Sequence, residues 1–214
     1  MAIKEIWDKV DQHTLNQQAF ALPSRLIAKK FVFRLIYGGT GYSYANDYDF
    51  EEVSTSQKFW ERVIEKFYDK YKGWASWHER LMHEATTTSR IIMPTGREYS
   101  FSQTPRGDWP RTTILNYPVQ GLGSDIMAIL RVAFYKRFKK RRINGLIISS
   151  VHDSIVVDAP QESKEEIVAL FHEVFNDGPR LFQQWFGVEF NLPLKCEVSV
   201  GPNMCDLEEV NYAN

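Results

Sequence analysis

Two short apolar runs rich in β-branched residues, Leu146 to Val151 and Ser154 to Val157, are separated only by His152-Asp153. Their pattern has a period near 2 and predicts a β-hairpin that presents the His-Asp pair at its tip. The segment before it follows a different period. From Pro118 to about Arg142, Leu122, Ile126, Ile129, Ala133 and Phe138 fall on one helical stripe, so an amphipathic helix is expected there. It closes on six cations, Lys136, Arg137, Lys139, Lys140, Arg141 and Arg142, and on Asn144-Gly145, a combination that suits a helix C-terminus and its dipole. The same cations could instead grip nucleic-acid phosphates. A hairpin joined to long helices places the chain in the α+β class.

Further helices are expected on both sides. Pro23 opens a run without Gly or Pro that ends at Gly38-Gly39, which predicts a helix of about four turns over residues 23–37, with proline in its first turn. Gly38 to Asn46 reads as a loop. Ser54 and Gln57 fit a reciprocal cap before Trp60, Ile64, Phe67 and Tyr71, and Gly73 stops that helix. Trp74 to Ala85 reads as helix. Ile91 to Met93 and Arg97 to Phe101 read as strands around Pro94-Thr95-Gly96, and residues 102–112 carry no periodicity. Helices over 163–175 and up to Phe186, split at Gly178-Pro179, and a last strand over 195–200 complete the chain.

With 43% hydrophobic, 25% charged and 14% aromatic residues, the chain can bury a core, which excludes disorder and fibrous classes. Lys and Arg number 26 and Asp and Glu 27, so a nucleic-acid partner would have to be met by a local patch. Asp47, Asp49, Glu51 and Glu52 form an acidic cluster far from the cations at 136–142. Cys196 and Cys205 lack zinc-ligand spacing, so neither a disulfide framework nor structural zinc is expected. The charged N-terminus and the interruption of the most apolar stretch by Arg131 argue against a signal peptide and a membrane span. A soluble cytoplasmic protein is expected.

Arg25, Lys29, Phe33 and Tyr37 lie four apart and form one slowly winding row about 18 Å long on a helix. Cations in the first turns suit a triphosphate, where the helix N-terminus adds partial positive charge, and the rings beyond suit a base. Spacing alone equally allows Phe33 and Tyr37 to be core residues and the cations a solvated edge.

The full pattern Arg25-x3-Lys29-x3-Phe33-x3-Tyr37-Gly38 resembles the nucleotide-binding fingers helix of family A (polymerase I type) DNA polymerases. Upstream, Asp11-Gln12-His13-Thr14 is similar to the Asp-x-His-Thr segment of phage members. Downstream, Asn116-Tyr117-Pro118-Val119-Gln120-Gly121 resembles the Asn-x-Pro-x-Gln-Gly helix start, Val151-His152-Asp153 the last catalytic motif, and Gly201-Pro202-Asn203 the C-terminal signature. The resemblance implies a helical fingers subdomain over residues 1–108 and the C-terminal part of an antiparallel-sheet palm over 109–214.

It also implies roles. His13, Arg25 and Lys29 would hold the triphosphate of a dNTP, Phe33 would flank the sugar and Tyr37 would stack by the nascent pair. Asn116 and Gln120 would contact template and primer, His152 would approach the primer terminus, and Arg97 would meet the DNA backbone. Lys29 and Asp153 would be catalytic. Three positions depart from the family pattern: Ser154 where a glutamate is common, Thr112 where an arginine is frequent, and Met204 where a tryptophan is usual. Arg111, one residue out of register, could partly replace the arginine.

Two-metal nucleotidyl transfer needs carboxylates that bridge two Mg2+ ions. Asp153 is one such ligand by resemblance. Asp158 is five residues further along the predicted strand, roughly 16 Å away and on the opposite face. Asp8 and Asp11 lie too close to the histidine segment to match the family's other aspartate motif. The expectation is therefore the C-terminal portion of a split or cut polymerase, active with an N-terminal chain that carries the other aspartate, the thumb and the rest of the palm, on primer-template DNA. Two other readings remain: a non-catalytic DNA- or nucleotide-binding subunit, and a phosphohydrolase built on His152 and Asp153.

Overall fold

The computed structural model describes residues 11–210. Their contacts divide into two compact units that meet between Gln120 and Gly121, inside a helix, whereas the sequence reading places the division at 108/109. The architecture is α+β, with three separate antiparallel strand pairs among the described residues.

The first unit opens with α1 (Gln12–Phe20) and α2 (Arg25–Ile36). Ser24 caps α2, its hydroxyl accepting from the Ile27 N–H at 3.2 Å, so Pro23 stands just outside the helix and not in its first turn. The expected loop after Gly38 contains a short helix, α3 (Gly41–Ala45), closed by a reciprocal Thr40–Ser43 cap. The Ser and Thr residues that signal a loop here satisfy helix N–H groups. In α4 (Gln57–Lys70) Ser56 is the cap and not Ser54. The Ser54 carbonyl instead accepts the Trp60 indole N–H at 2.8 Å. Then come α5 (Lys72–Thr88) and a hairpin of β1 (Arg90–Ile92) and β2 (Glu98–Ser100).

The long helix α6 spans Arg111–Arg141 with Pro118 inside it. The sequence pattern predicts a start at Pro118. Proline cannot donate to the Ile114 carbonyl, a loss that normally ends a helix. Here Ile114 and Leu115 are fully buried with Leu81, Ala85, Ile91 and Phe101, and that burial offsets the missing bond.

The core of the first unit is aromatic. Phe31, Tyr44, Phe50 and Trp60 are at most 1% exposed, and neighbouring ring centroids lie 5.1–6.1 Å apart. The Tyr44 hydroxyl donates to the Phe31 carbonyl at 2.7 Å, and burial pushes the phenol pKa far up. A Cβ at Gly39 would come within 2.9 Å of both the Arg34 carbonyl and the Tyr44 hydroxyl, so only glycine fits that turn.

In the second unit β3 (Leu146–Val151) pairs with β4 (Ser154–Asp158), from Leu146↔Asp158 to Val151↔Ser154, with an irregularity between Ile147 and Ser149. α7 (Lys164–Asn176) and α8 (Gly178–Phe186) are separated only by Asp177. Phe134, Phe138, Leu170, Phe171, Val174 and Phe182 form the core, with Phe134 and Phe171 stacked at 4.2 Å. The last expected strand shortens to β5 (Ser199–Val200), paired with β6 (Glu208–Glu209). Cys196 and Cys205 are free thiols, and burial raises Cys196 to about 11. No helix among the described residues is long and apolar enough to cross a membrane.

The Trp60→Ala substitution is expected to lower the stability of the first unit by about 3–5 kcal/mol, the usual range for an aromatic cavity, measured by denaturant unfolding; Trp60→Phe should cost less than half of that.

Candidate functional site

Arg25, Lys29 and Phe33 run along α2 as their spacing requires, and Tyr37, the last of the row, is the residue that caps the helix C-terminus. The opposite face, Ala28, Phe31 and Leu35, is fully buried. Phe33 is 43% exposed, so it is not a core residue. His13, from α1, lies tilted against Phe33 at 5.9 Å between ring centroids, and the Lys29 ammonium sits 5.8 Å from the same ring, within cation–π range. His13, Lys29 and Phe33 are thus brought together. Burial, followed by the Arg25 charge, lowers the His13 pKa, and its Nδ1 is buried without a hydrogen-bond partner among the described residues.

Four cations of α2 sort by partner. Arg25 pairs with Asp11 at 2.5 Å, Lys30 with Asp49 at 2.6 Å and Arg34 with Asp47. Lys29 has no ion pair among the described residues, so it carries the uncompensated charge beside Phe33. The acidic cluster read from sequence therefore neutralises the neighbouring row of α2. An open groove of about 340 Å³ is lined by Leu26, Phe33 and Phe50 and by the charged Lys29, Lys30, Arg34 and Asp49.

Two residues hold the C-terminal end of α2. Gln120 donates to the Tyr37 hydroxyl at 2.6 Å, joining two predicted site residues that stand far apart in sequence. His78, 2% exposed, places Nε2 3.2 Å from the Ile36 carbonyl, one of the helix-end acceptors, while Nδ1 faces the Tyr68 hydroxyl at 3.5 Å. The Trp74 indole N–H also points at Nε2, at 3.0 Å. A neutral imidazole cannot donate to Ile36 and accept from Trp74 through the same nitrogen, so these two bonds alternate. Sequence reasoning missed His78. A histidine inside a Trp-rich helical stripe was its only signal. Gly38, at φ +89°, follows Tyr37, and a Cβ there would lie 3.1 Å from Leu115.

His152 and Asp153 form the tip of the β3–β4 hairpin, both exposed, as the period predicted. His152 adopts φ +50°, a conformation few residues other than glycine take. The Ser154 hydroxyl donates to the Val151 carbonyl at 2.8 Å and closes this turn, which gives the residue at the departing position a structural role. Asp158 pairs with Leu146 at the other end of the hairpin. Among the described residues no group of three or more His, Cys, Asp or Glu side chains gathers in metal-binding geometry. One exposed carboxylate does not make up the ligand set of two divalent ions, and Asp8 lies outside the described residues.

The cation cluster is largely absorbed within its own unit. Arg137 pairs with Glu173 and Asp177, and Arg141 with Glu173, while Lys136 lies over the Trp185 ring and Lys139 over that of Tyr135. Arg97 is exposed in the turn between β1 and β2, where its carbonyl accepts from the Met93 N–H at 2.8 Å. Asn116 lies half-buried on α6, one turn before Gln120.

The profile of DNA polymerase family A matches residues 4–206, and the chain belongs to that family. DNA polymerase I of Aquifex aeolicus is 25% identical over 182 residues, covering 81% of this chain and 30% of its own. The thermostable DNA polymerase I of Thermus filiformis is 26% identical over 191 residues, 86% of this chain and 21% of its own. The DNA polymerase of Bacillus phage SP01 is 23% identical over 192 residues, 86% and 20% respectively. The chain thus spans less than a third of the length of these relatives. The fold is shared with the POL domain of Pol1 from M. smegmatis, solved in complex with DNA primer-template and dNTP, at a TM-score of 0.74 and 18% identity, over 90% of this chain and 34% of that one.

Burial, followed by the Arg111 charge, depresses His78 to about 4. Because its folded pKa lies below the unfolded value near 6.5, the unfolded chain takes up the proton first and stability falls as pH drops from about 6.5 toward 4. Thermal melts across this window should show a steeper loss for the wild type than for His78→Gln.

Proposed function

We propose that this chain is the nucleotide-binding and C-terminal catalytic portion of a template-directed DNA polymerase. The observation that carries the reading is the row of exposed Arg25, Lys29 and Phe33 and half-buried Tyr37, with His13 on Phe33 and Gln120 on the Tyr37 hydroxyl. Arg25, Lys29 and His13 would bind the triphosphate of a dNTP. Lys29, with no carboxylate partner among the described residues, would stabilise charge that develops on the transferring phosphate. Phe33 would line the sugar, and Tyr37, held by Gln120, would stack beside the nascent pair. The second unit would contribute His152 near the primer terminus and Asp153 as a carboxylate ligand for Mg2+. Asn116, Gln120 and Arg97 would contact primer-template DNA.

The remaining carboxylate, with the thumb and the rest of the palm, would come from polypeptide outside these residues, either a separate N-terminal chain or an upstream segment. The surface of the hairpin supports this. Leu146, Ile148 and Val151 on β3 are 63%, 57% and 53% exposed, and among the described residues no third strand pairs with β3–β4, so a further strand could add at its edges.

Primer extension with Mg2+ is the test. The chain alone should not extend a primer, whereas the chain reconstituted with the N-terminal portion of a family A polymerase should. Asp153→Ala in the reconstituted enzyme should lower the rate by roughly 100-fold or more, the scale of losing a charge-stabilising group. Extension indifferent to Asp153→Ala would leave a nucleotide-binding subunit in its place.

Phe33 has no hydroxyl to replace the hydrogen bond lost with a missing 3′-OH. The reconstituted enzyme should therefore discriminate against dideoxynucleotides, and Phe33→Tyr should relax that discrimination in a chain-termination assay.

A further inference from the structure

Asp11 precedes α1 and caps it, yet its carboxylate reaches well beyond that helix. Oδ1 accepts from the His13 backbone N–H at 2.9 Å, and Oδ2 accepts from the Thr14 hydroxyl at 3.0 Å and from Arg25 Nε at 2.5 Å. His13 and Arg25 belong to different helices, and one carboxylate joins them.

The edge of the arginine that Asp11 takes is informative. A guanidinium offers five N–H donors in a rigid planar fork. Asp11 engages Nε, and among the described residues the two terminal amines have no hydrogen-bond or ion-pair partner. Fixing the plane through Nε leaves free the edge that grips a phosphate with two parallel bonds. The pairing holds the Asp11 carboxyl well below the usual carboxylate range and raises Arg25.

A carboxylate beside a triphosphate site is electrostatically adverse, because it repels the ligand. Helix capping does not explain it, since neutral Ser or Asn caps as well as Asp. What a neutral cap cannot supply is a charged acceptor for Arg25. We propose that Asp11 is a positioning residue, which sets the plane of Arg25 so that its terminal amines face the triphosphate of the incoming nucleotide while tying the first turn of α1, with His13, to the same point. This rests on the nucleotide-site reading above.

The test uses the full chain and isothermal titration of two probes, dATP and inorganic tripolyphosphate, against the wild type, Asp11→Asn, Asp11→Ser, Arg25→Ala and Asp11→Asn/Arg25→Ala. Asn and Ser both preserve the cap, and circular dichroism with thermal melts verifies that α1 stays folded. Both Asp11 variants should bind each probe roughly tenfold more weakly, the scale of one charge-assisted hydrogen bond, even though a negative charge has been removed. That loss should vanish in the Arg25→Ala background, because two residues acting as one unit are not additive.

Unchanged or tighter binding by Asp11→Asn would overturn the proposal, since the carboxylate would then only cap or repel. An equal loss in the Arg25→Ala background would also overturn it, because Asp11 would be acting through the helix alone. Wild type that binds neither probe more tightly than Arg25→Ala would remove the nucleotide-site reading, and this proposal with it.

Discussion

The burial of one face of α2 is the constraint on which the candidate site depends. Phe31 sits in a cage of Tyr44, Trp60, Phe20 and Phe67, and the Tyr44 hydroxyl bonds the Phe31 carbonyl. Fixing the rotation of the helix in this way keeps Lys29 and Phe33 in solvent. A helix free to roll would bury Phe33 instead, since a phenyl ring exposed at this level forgoes about 1 kcal/mol or more of transfer free energy. The aromatic core is therefore what turns a four-residue spacing into a binding surface.

Charge is sorted on that surface by tertiary pairing. Lys30 and Arg34 are taken by Asp49 and Asp47, and Arg25 by Asp11 through its Nε edge. Exposed ion pairs of this kind contribute little to stability. Their consequence here is directional: positive charge is cancelled on the row that faces residues 47–49 and at Arg25, and among the four cations of α2 it is left unpaired at Lys29, in the row that ends at Tyr37. In the second unit the same sorting acts on the cluster at 136–142, where Glu173 and Asp177 hold Arg137 and Arg141.

Much of this was legible along the chain, because the strongest signals are local. The β3–β4 hairpin with His152-Asp153 at its tip follows from a period of 2 interrupted at one place, and the row on α2 follows from residues four apart. The errors share a cause as well. Pro118 and the Gly, Ser and Thr residues after Tyr37 read as a helix start and a loop. Buried Ile114 and Leu115 and the Thr40–Ser43 cap instead admit helix at both places. Local breaker signals gave way to packing and capping that involve residues outside the window.

Sequence alone determined the class of the chain, the identity of the row Arg25, Lys29, Phe33 and Tyr37, and the placement of Asp153 at a turn, since each depends on spacing within one element. Only the tertiary structure decided which cations stay unpaired, that Gln120 reaches the Tyr37 hydroxyl, that His78 meets the end of α2, and that Asp11 holds Arg25 by one edge. These are contacts between elements, set by how buried faces pack, and no periodicity within a single segment encodes them.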